Sequence, residues 1–205
     1  MVEGGSGNSV AGNYATVPGG LNNRASGNYS FAGGRRAYAL EGCFAWADSQ
    51  DDDFLGNGFP NSVSFRCQGG VYFTSGSSSG NNQAVYWFPG YGSWAFSSDR
   101  NLKDRLKHVD ARAVLEKVSH LPIAEWSYKG YPQRHIGAMA QDFHALFPLN
   151  EDDKTLNDLD LHGVALAAIQ GLNKKVEEKN LEIEELKQRL SRLETLINKS
   201  TRKEE

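Results

Sequence analysis

The composition of the chain changes at Ser97-Ser98-Asp99-Arg100-Asn101-Leu102-Lys103, near its midpoint. Before this stretch the sequence is rich in Gly, Ser, Asn and aromatic residues, which is typical of repetitive β-structure. After it, apolar residues recur with helical spacing and end in heptads. The sequence therefore predicts a mixed fold, with a β-rich N-terminal half, a small α/β domain and a C-terminal coiled coil.

Immediately upstream, residues 51–97 predict a β-rich connector. Alternating or aromatic runs at residues 62–67, 70–74 and 84–88 are typical of short strands. We expect residues 75–82, between the second and third runs, to form a flexible tip. An aromatic cluster follows, formed by Tyr91, Trp94 and Phe96. Its rings could stack on a glycan, but we expect them to pack within or between chains.

Residues 1–50 contain a short unit that recurs with a register of 15 residues. Gly12-Asn13-Tyr14-Ala15 aligns with Gly27-Asn28-Tyr29-Ser30 and with Gly42-Cys43-Phe44-Ala45. Each unit is typical of a short strand followed by a Gly/Asn turn, and the repetition predicts a β-solenoid with Ala, Ser and Gly inside. Because so small a core stabilises little, we expect identical chains to associate. The units resemble the head repeats of trimeric bacterial adhesins, which form a parallel β-roll.

Ser98 and Lys103 are the residues of the central stretch that could carry chemistry. A serine hydroxyl becomes a nucleophile when a base takes its proton, and a lysine is such a base only where burial or positive charge disfavours its charged form. The spacing alone leaves two interpretations open. In the first, they form a Ser–Lys dyad, either within one chain, with Ser98 at the N-cap of a helix and Lys103 reaching back to it, or between chains. In the second, Ser98-Asp99 only caps a helix and Lys103 is a solvated charge.

Downstream, residues 98–163 predict a small α/β domain. Asp110 can cap a helix that ends before Pro122, residues 124–139 read as a hairpin, and residues 141–148 read as a short helix.

The segment Ser98-Asp99-Arg100-Asn101-Leu102-Lys103 resembles the start of peptidase family S74, the self-cleaving C-terminal chaperone domain of phage tail spikes and tail fibres. Residues 126–129, 135–142 and 165–170 also match that family, so the resemblance covers about residues 97–198. It implies that Ser98 and Lys103 form the catalytic dyad. Ring geometry favours cleavage between Ser97 and Ser98, with the Ser98–Asp99 bond as the alternative.

Residues 164–200 predict a coiled coil, because apolar residues fill most a and d positions of a heptad repeat. These positions are Ile169, Leu172, Val176, Ile183, Leu186, Leu190, Leu193 and Ile197. Lys179 interrupts the d series. β-branched residues at a with Leu at d favour dimers. Arg189 at g and Glu194 at e resemble the Arg-x-x-x-x-Glu pattern of short trimeric coiled coils, and we predict three strands.

Charge and composition exclude several classes of protein. The net charge of −3, without a basic cluster, argues against nucleic-acid binding. No apolar run approaches the ~18–20 residues of a membrane span, and no signal peptide is visible, so we expect synthesis in the cytoplasm. Cys43, Cys67 and the run Asp51-Asp52-Asp53 lack the spacing of zinc or calcium ligands, and no metal or cofactor is predicted. We expect the aspartates to form a solvated turn.

These features together predict a homotrimeric fibre, spike or adhesin tip, located on a virion tail or cell-surface fibre, whose C-terminal chaperone assembles it and then cuts itself. A non-cleaving trimeric adhesin or stalk with a coiled-coil foot is the alternative. A carbohydrate-active tail-spike enzyme would need paired carboxylates on a larger β-helix. We expect any further partner, a host-surface receptor or a glycan, to bind the N-terminal part.

Overall fold

The structure, a computed structural model, describes residues 4–56, 58–76, 83–149 and 152–201. It divides into two compact units, Met1–Asp104 and Arg105–Glu205. Most of the predicted flexible tip, residues 77–82, lies outside the described residues.

The first part of the chain forms a parallel β-solenoid, which confirms the predicted fold of the N-terminal half. Its strands are β1 (Ser9–Val10), β2 (Arg24–Ala25), β3 (Phe31–Gly34), β4 (Ala37–Ala39), β5 (Phe44–Ala47), β6 (Leu55–Gly56) and β7 (Val63–Arg66). Two parallel sheets result, with strand orders β1-β2-β4-β6 and β3-β5-β7. From β2 onward the chain alternates between these sheets, and each strand pairs with the equivalent strand of the next coil.

The register of 15 residues holds only for the first pair of coils. Ser9 pairs with Arg24, but Phe31 pairs with Phe44, only 13 residues further on. The predicted alignment of Tyr29 with Phe44 is therefore wrong. Tyr29 sits in the left-handed region at φ 57°, and in the next coil Gly42 takes that position at φ 65°. Glycine adopts this conformation without steric cost.

Small side chains fill the solenoid, as predicted. The buried residues are Ala15, Val17, Ala25, Ala32, Ala37, Ala39, Cys43, Ala45 and Ala47. Cys43 is 2% exposed and behaves as a small apolar residue. A core built from alanines buries little apolar area per residue, so it stabilises the solenoid weakly.

A buried asparagine closes one corner of the solenoid. Asn23 is fully buried, and its Nδ2 donates hydrogen bonds to the carbonyls of Gly19 and Gly34 at 3.0 and 2.8 Å. Its Oδ1 accepts from the N–H of Ala37 at 2.9 Å. Asn8, one coil earlier, accepts from the N–H of Asn23, also at 2.9 Å. These amides satisfy the backbone groups that the corner removes from the sheets.

We expect Asn23→Ala to destabilise the solenoid strongly. The substitution leaves buried groups without partners, and each unsatisfied group costs about 1–3 kcal/mol. Thermal denaturation of the full chain, followed by circular dichroism, should show a clear loss of stability. Asn28→Ala is the matched control, because the Asn28 side chain accepts an exposed hydrogen bond from the N–H of Asn13. Equal melting of the two variants would contradict the role of Asn23.

An arginine–aspartate network follows the last coil. Arg66 donates to the carbonyl of Asp53 at 2.6 Å and to Oδ1 of Asp48 at 3.3 Å. The Arg66 and Asp48 side chains retain only 13% and 15% of their exposed surface. The N–H of Gln68 donates to the second carboxylate oxygen of Asp48 at 2.6 Å. The predicted turn at the aspartate run therefore also binds Arg66, through the carbonyl of Asp53. The sequence did not indicate this contact.

The stability of this end of the solenoid should depend on pH. The backbone N–H of Gln68 lowers the pKa of Asp48, and Arg66 adds to that effect. Because the folded pKa is lowered, the carboxylate contributes stability above the ordinary range of about 4, and this is lost as pH falls through the lowered value. Asp48→Asn should therefore melt below wild type at neutral pH, and the gap should narrow on acidification. Asp52→Asn, on an exposed carboxylate, should change little.

The connector forms an antiparallel sheet of β8 (Val71–Ser75), β9 (Gln83–Trp87) and β10 (Ala95–Phe96), with β9 in the centre. β8 and β9 confirm two of the three strands predicted there, whereas the first, at residues 62–67, is β7 and pairs within the solenoid. Aromatic rings contact one another on this sheet, including Tyr72 with Tyr86 and Trp87 with Trp94. Trp87 and Trp94 remain 51% and 43% exposed, so the single chain covers only part of these rings.

The second unit contains the predicted helices and hairpin. Its elements are α1 (Ala111–His120), β11 (Ala124–Trp126), β12 (His135–Gly137), α2 (Ala140–Leu146) and α3 (Asp158–Thr201). The carboxylate of Asp110 caps α1, as predicted, and the N–H groups of Ala113 and Arg112 lower its pKa. α1 packs on α3 at Gly171, where an added Cβ would lie 2.1 Å from the Ala111 carbonyl oxygen. Within the described residues, no helix has the length and hydropathy of a membrane span.

Candidate functional site

The central stretch leaves the connector sheet and forms one turn of 3-10 helix, Arg100–Leu102. Asp99 is the N-cap of this turn, and its carboxylate accepts the N–H of Asn101 at 2.9 Å. The interpretation of Ser98 as the N-cap is therefore wrong. Because Asp99 takes the capping position, the Ser98 hydroxyl is not needed to cap the turn.

The structure brings Ser98 and Lys103 together within one chain. Nζ of Lys103 donates a hydrogen bond to Oγ of Ser98 at 2.6 Å. On a continuous α-helix, residues five apart lie on different faces. Here a single tighter turn separates them, and Lys103 is extended, with φ −117° and ψ 140°. The lysine side chain can therefore return to the serine.

Ser98 and Lys103 are both exposed in the single chain. A lysine that accepts the serine proton must be neutral, and this needs burial or nearby positive charge. The geometry thus places the two groups in contact, and further burial would be needed to make the lysine a base.

Ser97, on the other side of the candidate scissile bond, is held by the connector sheet. Its N–H donates to the carbonyl of Ala84 at 3.3 Å, which extends the pairing of β10 with β9. Its hydroxyl is hydrogen-bonded to the hydroxyl of Tyr86. Sequence analysis missed Tyr86 as a site residue, because the strand pattern alone does not show which side chain faces Ser97. Only the register between β9 and β10 places it there.

The predicted association residues form an exposed apolar stripe along α3. Their exposed fractions lie between 46% for Ile183 and 62% for Ile169. The stripe consists of Ile169, Leu172, Val176, Ile183, Leu186, Leu190, Leu193 and Ile197. Lys179, the exception in the d series, pairs with Glu182 of the same helix at 2.5 Å. Arg189 and Glu194 are exposed beside the stripe.

Comparison with known proteins gives one family match. Residues 98–150 match the family model Peptidase_S74, described as chaperone of endosialidase. The match begins at Ser98 and includes Lys103, α1, the β11–β12 hairpin and α2. It confirms the resemblance over these residues, and the solenoid and the whole of α3 lie outside it. No curated protein and no solved structure matches the chain.

Proposed function

On the premise that residues 98–150 are a chaperone of endosialidase domain, we propose that this chain is the C-terminal part of a phage tail fibre, spike or adhesin-like protein. Its C-terminal region brings three copies together and then cuts itself at Ser98. The observation that carries the proposal is the 2.6 Å contact between Nζ of Lys103 and Oγ of Ser98, at the first residue of the family match.

The cleavage begins with attack by Oγ of Ser98 on the carbonyl carbon of Ser97. This attack closes a five-membered ring, whereas attack on the serine's own carbonyl would require a strained four-membered ring. Neutral Lys103 takes the hydroxyl proton and returns it to the departing amine of Ser98 as the peptide C–N bond breaks. An ester then joins Ser97 to Oγ of Ser98. Water opens it, which yields a carboxylate on Ser97 and restores the hydroxyl.

Because Lys103 is exposed in the single chain, the reaction would start only when assembly covers it. A neighbouring copy that covers the site would remove water from the ammonium group and favour its neutral form. The cut then follows trimerisation. Each chain reacts once, because the cut consumes its own peptide bond.

The chaperone role follows from how the two units fold. The solenoid pairs strands from successive coils in parallel around a core of alanines, and trimeric packing would add contacts between chains. The contacts between separate chains would form slowly, because chain entropy is lost before they stabilise the fold. The long helix α3 forms from local contacts, and its apolar stripe would hold three chains at high effective concentration. Removing it after assembly would leave a kinetically stable head.

The alternative function is a non-cleaving trimeric adhesin or stalk. The exposure of Ser98 and Lys103 favours it, because a lysine needs burial or nearby positive charge to act as a base. A stalk needs neither residue. Under both proposals the protein belongs to a virion tail or cell-surface fibre. A host-surface receptor or glycan would contact the N-terminal part, where Trp87 and Trp94 are half-exposed.

A time course of the purified full chain tests the proposal. We expect a denaturing gel to show two fragments that accumulate near the midpoint of the chain, after light scattering has detected the trimer. Mass spectrometry should give an N-terminal fragment that ends at Ser97 and a C-terminal fragment that begins at Ser98. Scission after Ser98 would indicate attack by water or by another chain. A chain that stays intact for days, while folded and trimeric, would support the stalk.

A further inference from the structure

We infer that Tyr86 is a positioning residue for self-cleavage, because its hydroxyl holds the side chain of Ser97 against the connector sheet. This inference rests on the proposed function. Tyr86 lies upstream of the family match, so the match assigns it no role.

The sheet register brings Tyr86 to the scissile bond. Tyr86 is the cross-strand partner of Ala95, and Phe96 pairs with Val85. The next residue, Ser97, continues this pairing through its N–H bond to Ala84. Ser97 therefore has two attachments to β9, one through its main chain and one through its side chain. Ser98, one residue later, is exposed and directly precedes the N-cap of the 3-10 turn.

Packing alone does not require the Tyr86 hydroxyl. The Tyr86 ring is half-buried, stacks on Phe88 at a centroid distance of 5.4 Å and meets Tyr72 edge-on at 6.0 Å. A phenylalanine would keep both ring contacts. The hydroxyl reaches past this cluster to Oγ of Ser97, so its removal changes the attachment of Ser97 and little else.

The attachment matters because the reaction needs a fixed acyl carbon. The nucleophile is held by Lys103, whereas Ser97, which carries the acyl carbon, is held on the sheet through its N–H. A misplacement of about 1 Å between reacting groups can lower a rate by about 100-fold. Ser97 keeps its main-chain bond when the hydroxyl contact is lost. We therefore expect a smaller effect, a rate lower by roughly 10-fold.

The test measures the first-order rate of self-cleavage in the full chain. Tyr86→Phe and Ser97→Ala should each slow it by roughly 10-fold, and the double variant should be no slower than either, because both remove one contact. Tyr72→Phe is the matched control, since it removes a hydroxyl from the same ring cluster, and it should cleave at the wild-type rate. Both variants should form the trimer and should melt at the wild-type temperature. If the contact only stabilised the fold, its loss would lower the melting temperature.

The outcomes separate this inference from the function it rests on. If wild type cleaves and Tyr86→Phe cleaves equally fast, the inference is overturned and the proposed function stands. Additive slowing in the double variant, or equal slowing by Tyr72→Phe, also overturns it. If wild type does not cleave at all, the proposed function fails, and with it the inference. If Tyr86→Phe folds poorly, Ser97→Ala still tests the inference, because it removes the other hydroxyl of the same contact.

Discussion

Ser98→Ala and Lys103→Ala should each leave the chain full-length on a denaturing gel, under conditions in which wild type gives two fragments. Ser98 supplies the nucleophile and Lys103 the proton transfer, so loss of either should lower the rate by at least about 1,000-fold. The double variant should cleave no more slowly than either single variant, because the two residues act as a unit.

Two further variants test whether cleavage needs proton transfer by Lys103 or only its positive charge, and whether loss of any exposed lysine has the same effect. Lys103→Arg keeps the positive charge but cannot lose its proton, so it should also stay uncut. Lys107→Ala removes an exposed lysine nearby and should cleave as wild type does. All variants should form the trimer, as measured by light scattering. Normal cleavage by Lys103→Arg or Lys103→Ala would eliminate the dyad, whatever the family match implies.

Replacing two stripe residues, Ile183→Asn with Leu186→Asn, should abolish assembly of the full chain. Burying each apolar side chain contributes about 1.5–3 kcal/mol, and a trimer buries every position three times. The background should carry Ser98→Ala, so that the tail stays attached during light scattering. We expect a monomer, together with a lower soluble yield of the solenoid, because its weak core then forms without the other copies.

The matched control is Leu181→Asn on the same helix. Leu181 is 73% exposed and falls at position f of the heptad, away from the stripe. It should leave the trimer intact. In a chain that retains Ser98, the double stripe variant should also remain uncut, because no neighbouring copy covers Lys103. A trimer that survives the stripe substitutions would place the association surface elsewhere, and cleavage by a monomer would disprove the link between assembly and reaction.

Local patterns were sufficient to predict most elements. The 15-residue recurrence indicated the solenoid, and the first pair of coils follows it. Asp110 was identified as a helix cap from its place before an apolar helical run, and the structure has it there. The predicted alignment of the second and third coils was wrong, because it matched glycine with glycine instead of one left-handed turn position with the next. Aligning glycines placed Tyr29 beside Phe44, but what recurs is the left-handed turn position, which Tyr29 and Gly42 share.

The candidate site was predictable in its residues but not in its geometry. Ser98 and Lys103 were identified from the motif Ser-Asp-x-x-Leu-Lys and its resemblance to a known family. Their spacing could not decide whether the two side chains meet. On an α-helix, residues five apart lie on different faces, whereas a tighter turn can bring them into contact. Asp99, rather than Ser98, caps a 3-10 turn, and this lets the lysine return to the serine.

The sequence by itself determined the solenoid, the helices, the heptad stripe and the two candidate site residues, because each depends on periodicity or on neighbours along the chain. Only the tertiary structure decided the buried bonds of Asn23, the arginine network around Asp48 and the contact of Tyr86 with Ser97. The bonds of Asn23 with Gly34, of Arg66 with Asp48 and of Tyr86 with Ser97 join residues 11, 18 and 11 positions apart. Such contacts depend on strand register, which is set when the coils stack and the sheets pair.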